Sequence, residues 1–171
     1  ELAEGGEVAG YLGGHFAVLP PRIYSPSYSL PQQTAALWGM HLAGGVDPLQ
    51  LQRYSDYMEK ATGVPGNGYS VTLPAFATGD PQVDNIDRVP DAEALGVLNV
   101  SWVVSAFPLE APGLRLEKQF GDTYLYFNQL TRREWVQATL EDNTGQPGAA
   151  ELIRYSPERQ ELWAAGPGFL V

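Results

Sequence analysis

Cysteine, long apolar runs and basic side chains are what this sequence has least of. No cysteine occurs in the 171 residues, so a disulfide framework, a thiol nucleophile and a thiolate metal site are excluded. No apolar run approaches the roughly 18 residues that a membrane-spanning helix needs. The 20 acidic side chains outnumber the 10 basic ones and give a formal net charge of -10. A chain with this balance lacks the basic surface that binds nucleic acid, so no nucleic-acid partner is expected.

The residues that are present are typical of one folded domain. Hydrophobic residues make up 44% of the chain, which is enough for one sizeable core. The chain begins at Glu1 and its only methionines are Met40 and Met58, so we expect a chain that was either processed or cut from a longer protein. We predict a single domain over residues 1–171, whose last residues, 168–171, read as the start of a strand that is cut short.

Helices are predicted in the first two thirds of the chain. The strongest pattern covers residues 48–62, where Asp47 is placed as the N-cap, Pro48 as the first helical residue and Gln50 as part of a capping box. The side chains expected on the buried face of this helix are Leu51, Tyr54, Met58 and Ala61. Shorter helices are predicted over residues 2–14, 32–42 and 92–98. In the second of these Ala35, Ala36 and Met40 are expected to face inward, and Asp91 is expected to cap the last one.

Strands are predicted in both halves and form hairpins in the last third. The apolar run at residues 100–107 indicates a strand that is buried on both faces. Hairpins are expected at 114–128 and 151–164. Shorter strands are expected at 22–25, 69–73 and 135–140. The predicted fold class is therefore α+β, with a mixed sheet, helices in the N-terminal two-thirds and antiparallel hairpins in the C-terminal third.

The chemical inventory gives little support for catalysis. His15 and His41 are the only histidines, and their spacing matches no metal-ligand pattern, so neither a metal site nor a cofactor is predicted. The nucleophile elbow, the dinucleotide-binding glycine motif and the P-loop are all absent. Asp80, Asp84 and Asp87 lie in a proline-rich segment that we interpret as a solvated acidic loop rather than an ion site. No catalytic residue is predicted.

Two further patterns have plain interpretations. A pair of carboxylates facing each other across a cleft would suit a hydrolase, but with 20 acidic residues the sequence singles out no such pair. The segment Asn99-Val100-Ser101 is formally a glycosylation sequon. Because a strongly apolar strand follows it, burial is the favoured interpretation.

The best candidates for a binding role are Arg22, Tyr24 and Tyr28. The two tyrosines flank a proline in a segment that cannot be a regular helix, and Arg22 is nearby. This arrangement predicts an exposed aromatic and polar cluster. Exposed rings can stack on the faces of sugars, although core packing is the commoner use of aromatic residues.

Four segments together resemble a known family. They are RIYS at residues 22–25, GVDPL at 45–49 followed by RY at 53–54, LNVSWVVS at 98–105, and YLYFN at 124–128 followed by REWV at 133–136. Their order resembles the extracytoplasmic region of large bacterial polytopic membrane proteins of the YfhO type, which look like relatives of membrane glycosyltransferases. The chain departs from that family at residues 131–133, where Thr131-Arg132-Arg133 replaces a pattern that usually has a proline before the arginine.

The resemblance implies a location on the extracytoplasmic face of the bacterial cell membrane, with tethering through transmembrane segments that this chain does not contain. The partner it implies is the parent protein's own transmembrane region, and the parent would use a lipid-linked sugar. The catalytic aspartates of that parent protein would lie in loops between its membrane helices, so none is carried over to this chain. We therefore expect a non-catalytic module that binds glycan or cell-envelope polymer. A purely structural or protein-interaction domain and a free-standing carboxylate hydrolase remain open alternatives.

Overall fold

The computed structural model describes residues 5–15, 20–66, 68, 71–131, 149–156 and 159–165. The chain divides into two compact units, the first made of residues 1–16 and 20–132 and the second of residues 17–19 and 133–171. The single domain expected over residues 1–171 stays a prediction beside this division.

The described residues contain four helices and nine strands. In chain order they are α1 (Gly6–Gly13), β1 (Arg22–Tyr24), α2 (Gln32–Leu37), β2 (His41–Leu42), β3 (Gly45–Val46), α3 (Gln52–Thr62), β4 (Thr72–Leu73), α4 (Ala92–Val97), β5 (Val100–Ser105), β6 (Leu114–Phe120), β7 (Thr123–Asn128), β8 (Ala149–Ser156) and β9 (Arg159–Ala165).

A mixed sheet of five strands, in the order β2-β1-β5-β7-β6, is the centre of the first unit. β1 pairs in parallel with β2 and with β5, whereas β7 runs antiparallel to β5 and to β6. The chain leaves β1 towards β2 on one side and leaves β5 towards β6 and β7 on the other. The carboxyl ends of β1 and β5 therefore form a topological switch point of the kind found in open α/β sheets. The predicted α+β class with a mixed sheet is confirmed.

Two apolar clusters pack against this sheet. The cluster that contains residues of α1 and α2 with Ile23, Val104 and Leu125 consists of Val8, Ala9, Leu12, Ile23, Leu30, Ala35, Met40, Val104 and Leu125. The other cluster contains Met58 and Ala61 of α3 and Leu95 of α4 together with Tyr24, Val103 and Tyr126. Since neighbouring residues of a strand point to opposite faces, Ile23 and Tyr24 fall into different clusters, and so do Val103 and Val104.

The strongest predicted helix begins later than expected. α3 starts at Gln52 rather than at Pro48, and its N-cap position is occupied by Leu51, which makes no side-chain capping bond. Asp47 instead accepts a hydrogen bond from the backbone N–H of Leu49 at 2.8 Å. Gln50 donates to the backbone oxygen of Val71 at 2.9 Å. The expected Asp47 cap is therefore wrong, because both polar side chains stabilise a turn before the helix rather than its first turn.

The buried face and the end of α3 are mostly as predicted. Met58 and Ala61 are buried, but Leu51 is 76% exposed, which corrects the prediction that it faces the core. The helix ends at Gly63, whose φ of 70° places it in the left-handed region. Glycine adopts this conformation without the steric penalty of a side chain.

Several shorter elements confirm the sequence-based interpretation. The aspartate before α4 caps it as expected, since the Asp91 carboxylate accepts from the N–H groups of Glu93 and Ala94 at 2.9 and 3.0 Å. The hairpin of β6 and β7 has the predicted bounds. The predicted helix over residues 32–42 is only partly right, because it ends at Leu37 and residues 41–42 form β2. Ala36, expected to face inward, is exposed.

The second unit contains one described hairpin, in which β8 pairs antiparallel with β9. This hairpin was predicted from the alternating runs at residues 151–155 and 160–164. The predicted strand at 135–140 and the predicted cut strand at 168–171 lie outside the described residues. Within the described ranges, no helix is both long enough and apolar enough to cross a membrane.

Candidate functional site

The three residues predicted to bind are placed in different surroundings. Tyr24 is 1% exposed and belongs to the core cluster that contains Met58 and Ala61. The exposure that the predicted cluster requires is therefore missing at Tyr24. Tyr28 is half-buried, has a φ of 54°, and its hydroxyl accepts a hydrogen bond from the N–H of Gln32 at 3.3 Å. A binding role for Arg22 and Tyr28 stays a prediction.

Burial controls the chemistry of Tyr24. Its hydroxyl makes no hydrogen bond of normal geometry with the described residues. Desolvation raises the pKa of the Tyr24 phenol above its ordinary range, and the nearby Thr62 hydroxyl only partly opposes this rise. The neutral phenol is thus a core side chain rather than a group that meets a ligand.

Arg22 is a structural cation at the start of β1. Its Nη1 atom donates to the backbone oxygen of Leu98 at 3.1 Å. The same charge acts on two neighbours. Burial, followed by the Arg22 charge, lowers the pKa of His41, while burial raises the pKa of Tyr54 and the Arg22 charge partly reverses that rise. The Arg22 side chain therefore lies near partly buried polar groups of β2 and α3.

A different set of aromatic side chains forms a continuous, partly exposed row in the first unit. The row, named here the aromatic row, runs in the order Phe120, Tyr11, His15, Trp102 and Phe127. The centroids of successive rings are 5.6, 4.3, 6.3 and 5.1 Å apart. His15 is exposed and the other four rings are partly exposed. The ring planes of Trp102 and Phe127 meet at 63°, which is a favoured edge-to-face geometry.

Strand register explains why these rings meet. Trp102 on β5 lies directly opposite Phe127 on β7, and Phe127 lies opposite Arg115 on β6. Side chains opposite one another on neighbouring strands share a face of the sheet. Tyr11 and His15 reach the same face from α1 and the turn that follows it, because they are four residues apart and so project from one side of the helix.

Cationic side chains flank both ends of the aromatic row. The guanidinium carbon of Arg115 lies 5.9 Å from the centroid of Phe127. The Nζ atom of Lys118 lies 4.7 Å from the centroid of Tyr11 and 4.8 Å from that of Phe120. Both distances suit cation–π attraction. Lys118 thus covers the Tyr11 end of the row, while the end formed by His15, Trp102 and Phe127 has polar donors at its margin.

The hydrogen bonds around the row hold its polar groups in place. Glu117 forms an ion pair with Arg115 at 2.7 Å and accepts from the hydroxyl of Tyr11 at 3.4 Å. The Nδ1 atom of His15 lies 2.7 Å from the backbone oxygen of Tyr11, so Nδ1 carries the hydrogen. In the neutral imidazole this tautomer makes Nε2 an acceptor. The row therefore combines ring faces with donors and an acceptor.

Two neighbouring depressions lie elsewhere in the first unit, beside α3. The first, named the cleft, has a volume of about 490 Å³, and its polar wall includes Asp47, Asp56 and Glu59. The second, named the hollow, has a volume of about 310 Å³ and is bordered by the exposed side chains of Val46, Leu49 and Leu51. Asp47, Gln50 and Leu73 line both depressions, so the two are adjacent.

The carboxylates of the cleft are engaged in local structure. Asp56 accepts from the side-chain amide of Gln52 at 2.6 Å, and Glu59 accepts from the N–H of Gly66 at 3.0 Å. Among the described residues, no group of three or more His, Asp or Glu side chains is arranged to hold a metal ion. The cleft thus offers negative charge and hydrogen-bond acceptors, and these two carboxylates already bond to neighbouring residues of the chain.

The acidic loop predicted over residues 74–90 has a structural role. The Asp84 carboxylate accepts from the N–H groups of Thr78, Gly79 and Asp80 at 2.9–3.2 Å and from the hydroxyl of Thr78 at 2.6 Å. The hydroxyl of Thr78, and then the backbone N–H groups, lower the pKa of Asp84. This direction is opposite to the one that a catalytic acid needs.

The aromatic row as a whole was not predictable from the sequence, because its members come from four separate segments of the chain. The two cations that flank the row could not be placed from the sequence either, because β6 contains a β-bulge. The register of β6 against β7 shifts between Leu116 and Lys118, which brings Arg115 and Lys118 to the same face although strict alternation would separate them. One usable signal was present: Tyr11 and His15 lie at helical spacing on a short helix.

Comparison with protein-family models, with curated proteins and with solved structures finds no match to this chain.

Proposed function

We propose that this chain is a non-catalytic, glycan-binding module of a larger membrane glycosyltransferase-like protein of the YfhO type, located on the extracytoplasmic face of the cell membrane. The observation that supports glycan binding is the aromatic row. Its end at His15, Trp102 and Phe127 presents partly exposed rings beside polar groups. Ring faces attract the apolar C–H faces of sugars, while the polar groups at the margin can bond to hydroxyl groups.

The acidic character of the chain narrows the class of glycan. With a net charge of -10, the surface as a whole repels polymers that carry many phosphates or carboxylates. Arg115 is already paired with Glu117, so it offers hydrogen-bond donors in a locally neutral setting. A neutral glycan is therefore the favoured ligand class.

The proposal is tested by titration calorimetry with neutral oligosaccharides of the bacterial cell wall. Trp102→Leu keeps an apolar side chain at this position but removes the ring, and we expect binding about two- to tenfold weaker, since an aromatic contact contributes about 0.5–1.5 kcal/mol. Because Trp102 packs against the core, the melting temperature of the variant is measured in parallel, so that a loss of folding is not mistaken for a loss of binding. The exposed His15→Ala variant tests the same site with less risk to the fold.

Trp38→Leu is the matched control. Trp38 is also partly exposed, but it lies after α2, against Gly13 of α1, and outside the aromatic row. Equal losses from Trp102→Leu and Trp38→Leu would argue against a specific row. Flat calorimetric responses to every oligosaccharide would remove the sugar-binding function altogether.

A further inference from the structure

The hollow beside α3 is bordered by an unusual concentration of exposed aliphatic side chains. Leu49 is 85% exposed, Leu51 is 76% exposed and Val46 is 48% exposed, and all three line the same depression. Single exposed aliphatic residues are ordinary, but a contiguous group beside a concave surface marks an interaction site. Leu51 does not cap the helix either. It occupies the N-cap position of α3, where polar residues are favoured, and its side chain makes no capping bond.

The described charged side chains that line the hollow and the cleft have one sign, and Arg22, whose charge acts on Tyr54, lines neither depression. Among the described residues that line the hollow or the adjacent cleft, three are acidic, namely Asp47, Asp56 and Glu59, and none is Lys or Arg. Asp47 lines both depressions. A ligand that fills the hollow with apolar groups therefore meets negative charge at the side where the cleft begins.

This combination discriminates between possible occupants. A second copy of this chain, bound through the same surface by twofold symmetry, would place Asp47 and Asp56 near their own equivalents and repel them. A surface of anionic lipids is repelled in the same way. A segment with aliphatic side chains next to lysine or arginine satisfies both the hollow and the carboxylates.

We propose that the hollow and the adjoining acidic wall of the cleft form a docking surface for a basic, leucine-rich segment of a partner protein. The aliphatic side chains of that segment enter the hollow against Leu49 and Leu51, and its cationic side chains face Asp47 and Asp56. This surface is separate from the aromatic row, so the proposal does not depend on glycan binding.

The experiment uses fluorescence anisotropy with a short labelled peptide of leucine and lysine in an amphipathic helical pattern, and with a matched peptide in which glutamate replaces lysine. We expect the lysine peptide alone to bind, with an affinity that falls as salt is added. The double variant Leu49→Ser, Leu51→Ser should weaken binding at least about tenfold, because two buried leucine contacts are lost. Asp56→Asn should weaken it by a smaller factor.

Asp87→Asn and Asp122→Asn are the controls, because both remove an exposed negative charge that lines neither depression. If they weaken binding as much as Asp56→Asn, the attraction is merely that of the net charge and the docking surface is disproved. The proposal is also overturned if the peptide does not bind, if the Leu49 and Leu51 variants leave its affinity unchanged, or if these leucines instead drive dimerisation or binding to anionic vesicles.

Discussion

The hydroxyl oxygen of Ser27 accepts a hydrogen bond of 2.8 Å from the backbone N–H of Ala106, a residue 79 positions further along the chain. The same oxygen lies 2.6 Å from the hydroxyl oxygen of Ser29. Ser27 is fully buried. The loop after β1 is thereby joined to the loop after β5, at the switch point between these two parallel strands.

Replacing Ser27 tests how strongly this connection stabilises the fold. Ser27→Ala leaves the half-buried N–H of Ala106 without its acceptor and removes a fully buried hydroxyl, so we expect the free energy of unfolding to fall by about 1–3 kcal/mol. The measurement is urea denaturation followed by circular dichroism. Ser101→Ala, at a partly exposed serine of β5, is the matched control and should change stability by less than about 0.5 kcal/mol. Equal effects in the two variants would contradict the assigned role.

Tyr24 provides a prediction of the opposite kind. Because its buried hydroxyl makes no hydrogen bond of normal geometry with the part of the chain that the structure describes, Tyr24→Phe should leave the free energy of unfolding unchanged within about 0.5 kcal/mol or raise it. Tyr126→Phe is the comparison within the same cluster, since its hydroxyl accepts from the buried N–H of Leu109 at 2.8 Å. That variant should lose about 1–3 kcal/mol. A large loss in Tyr24→Phe would show that its hydroxyl has a partner after all.

Gly44 is required by close packing against β4. A Cβ atom at this position would lie 2.1 Å from the backbone oxygen of Leu73, a distance that neither backbone can relieve without separating β3 from β4. We expect Gly44→Ala to lower the melting temperature by several degrees, as a steric defect of about 1–3 kcal/mol does. Gly14→Ala is the control, because the nearest atom of the described residues, the backbone oxygen of Tyr11, would be 3.6 Å from its Cβ. Similar melting temperatures for the two variants would be inconsistent with this packing.

The Asp84 carboxylate makes the loop of residues 78–84 sensitive to acid. Its pKa is lower in the folded chain than in the unfolded one, so its contribution to stability is complete above the unfolded pKa of about 3.9 and is lost as the pH falls through the folded value. The protection of the Thr78 and Gly79 amides against exchange, measured relative to the intrinsic rate at each pH, should fall over this acidic range. In Asp84→Asn this protection should no longer depend on pH, whereas in Asp87→Asn it should. An unchanged profile in Asp84→Asn would refute the assignment.

The exposed N-cap of α3 offers a way to stabilise the protein. Leu51→Ser places a hydroxyl where it can accept from a free N–H of the first helical turn, and we expect a gain of about 0.5–2 kcal/mol in the free energy of unfolding. Leu49→Ser removes a similarly exposed leucine outside the cap position and should be nearly neutral. Thermal denaturation distinguishes the two, and a stabilisation of equal size in both would show that the gain comes from removing an exposed apolar side chain rather than from capping.

The fold was predictable from the sequence to the extent that local patterns decided it. The hairpin of β6 and β7 followed from alternation around Gly121-Asp122, and the cap of α4 followed from Asp91. The start of α3 was missed because Asp47 and Gln50 have two uses, a helix cap or a turn, and only the contact with Val71 selects the turn. That contact joins residues distant in sequence, so no local pattern could reveal it.

The candidate site was less predictable for a related reason. The prediction for Tyr24 and Tyr28 rests on their proximity in sequence. Alternation along β1 places Tyr24 in the core, whereas Tyr28 has a left-handed backbone and a half-buried side chain. Trp102 was interpreted only as part of a buried strand. How much of the Trp102 side chain is exposed depends on where α1 lies against the sheet, and the sequence of the strand does not determine that position.

The serine-rich loop after β1 has a consequence for where this molecule can be modified. In many parallel-stranded proteins the gap at a switch point admits a ligand, but here Ser25, Ser27 and Ser29 are packed into it as an internal plug. Shortening this loop is a starting point for engineering a ligand pocket between β1 and β5. Asn85, whose side-chain amide donates to the backbone oxygens of Pro26 and Ala75, would supply a polar group at its wall.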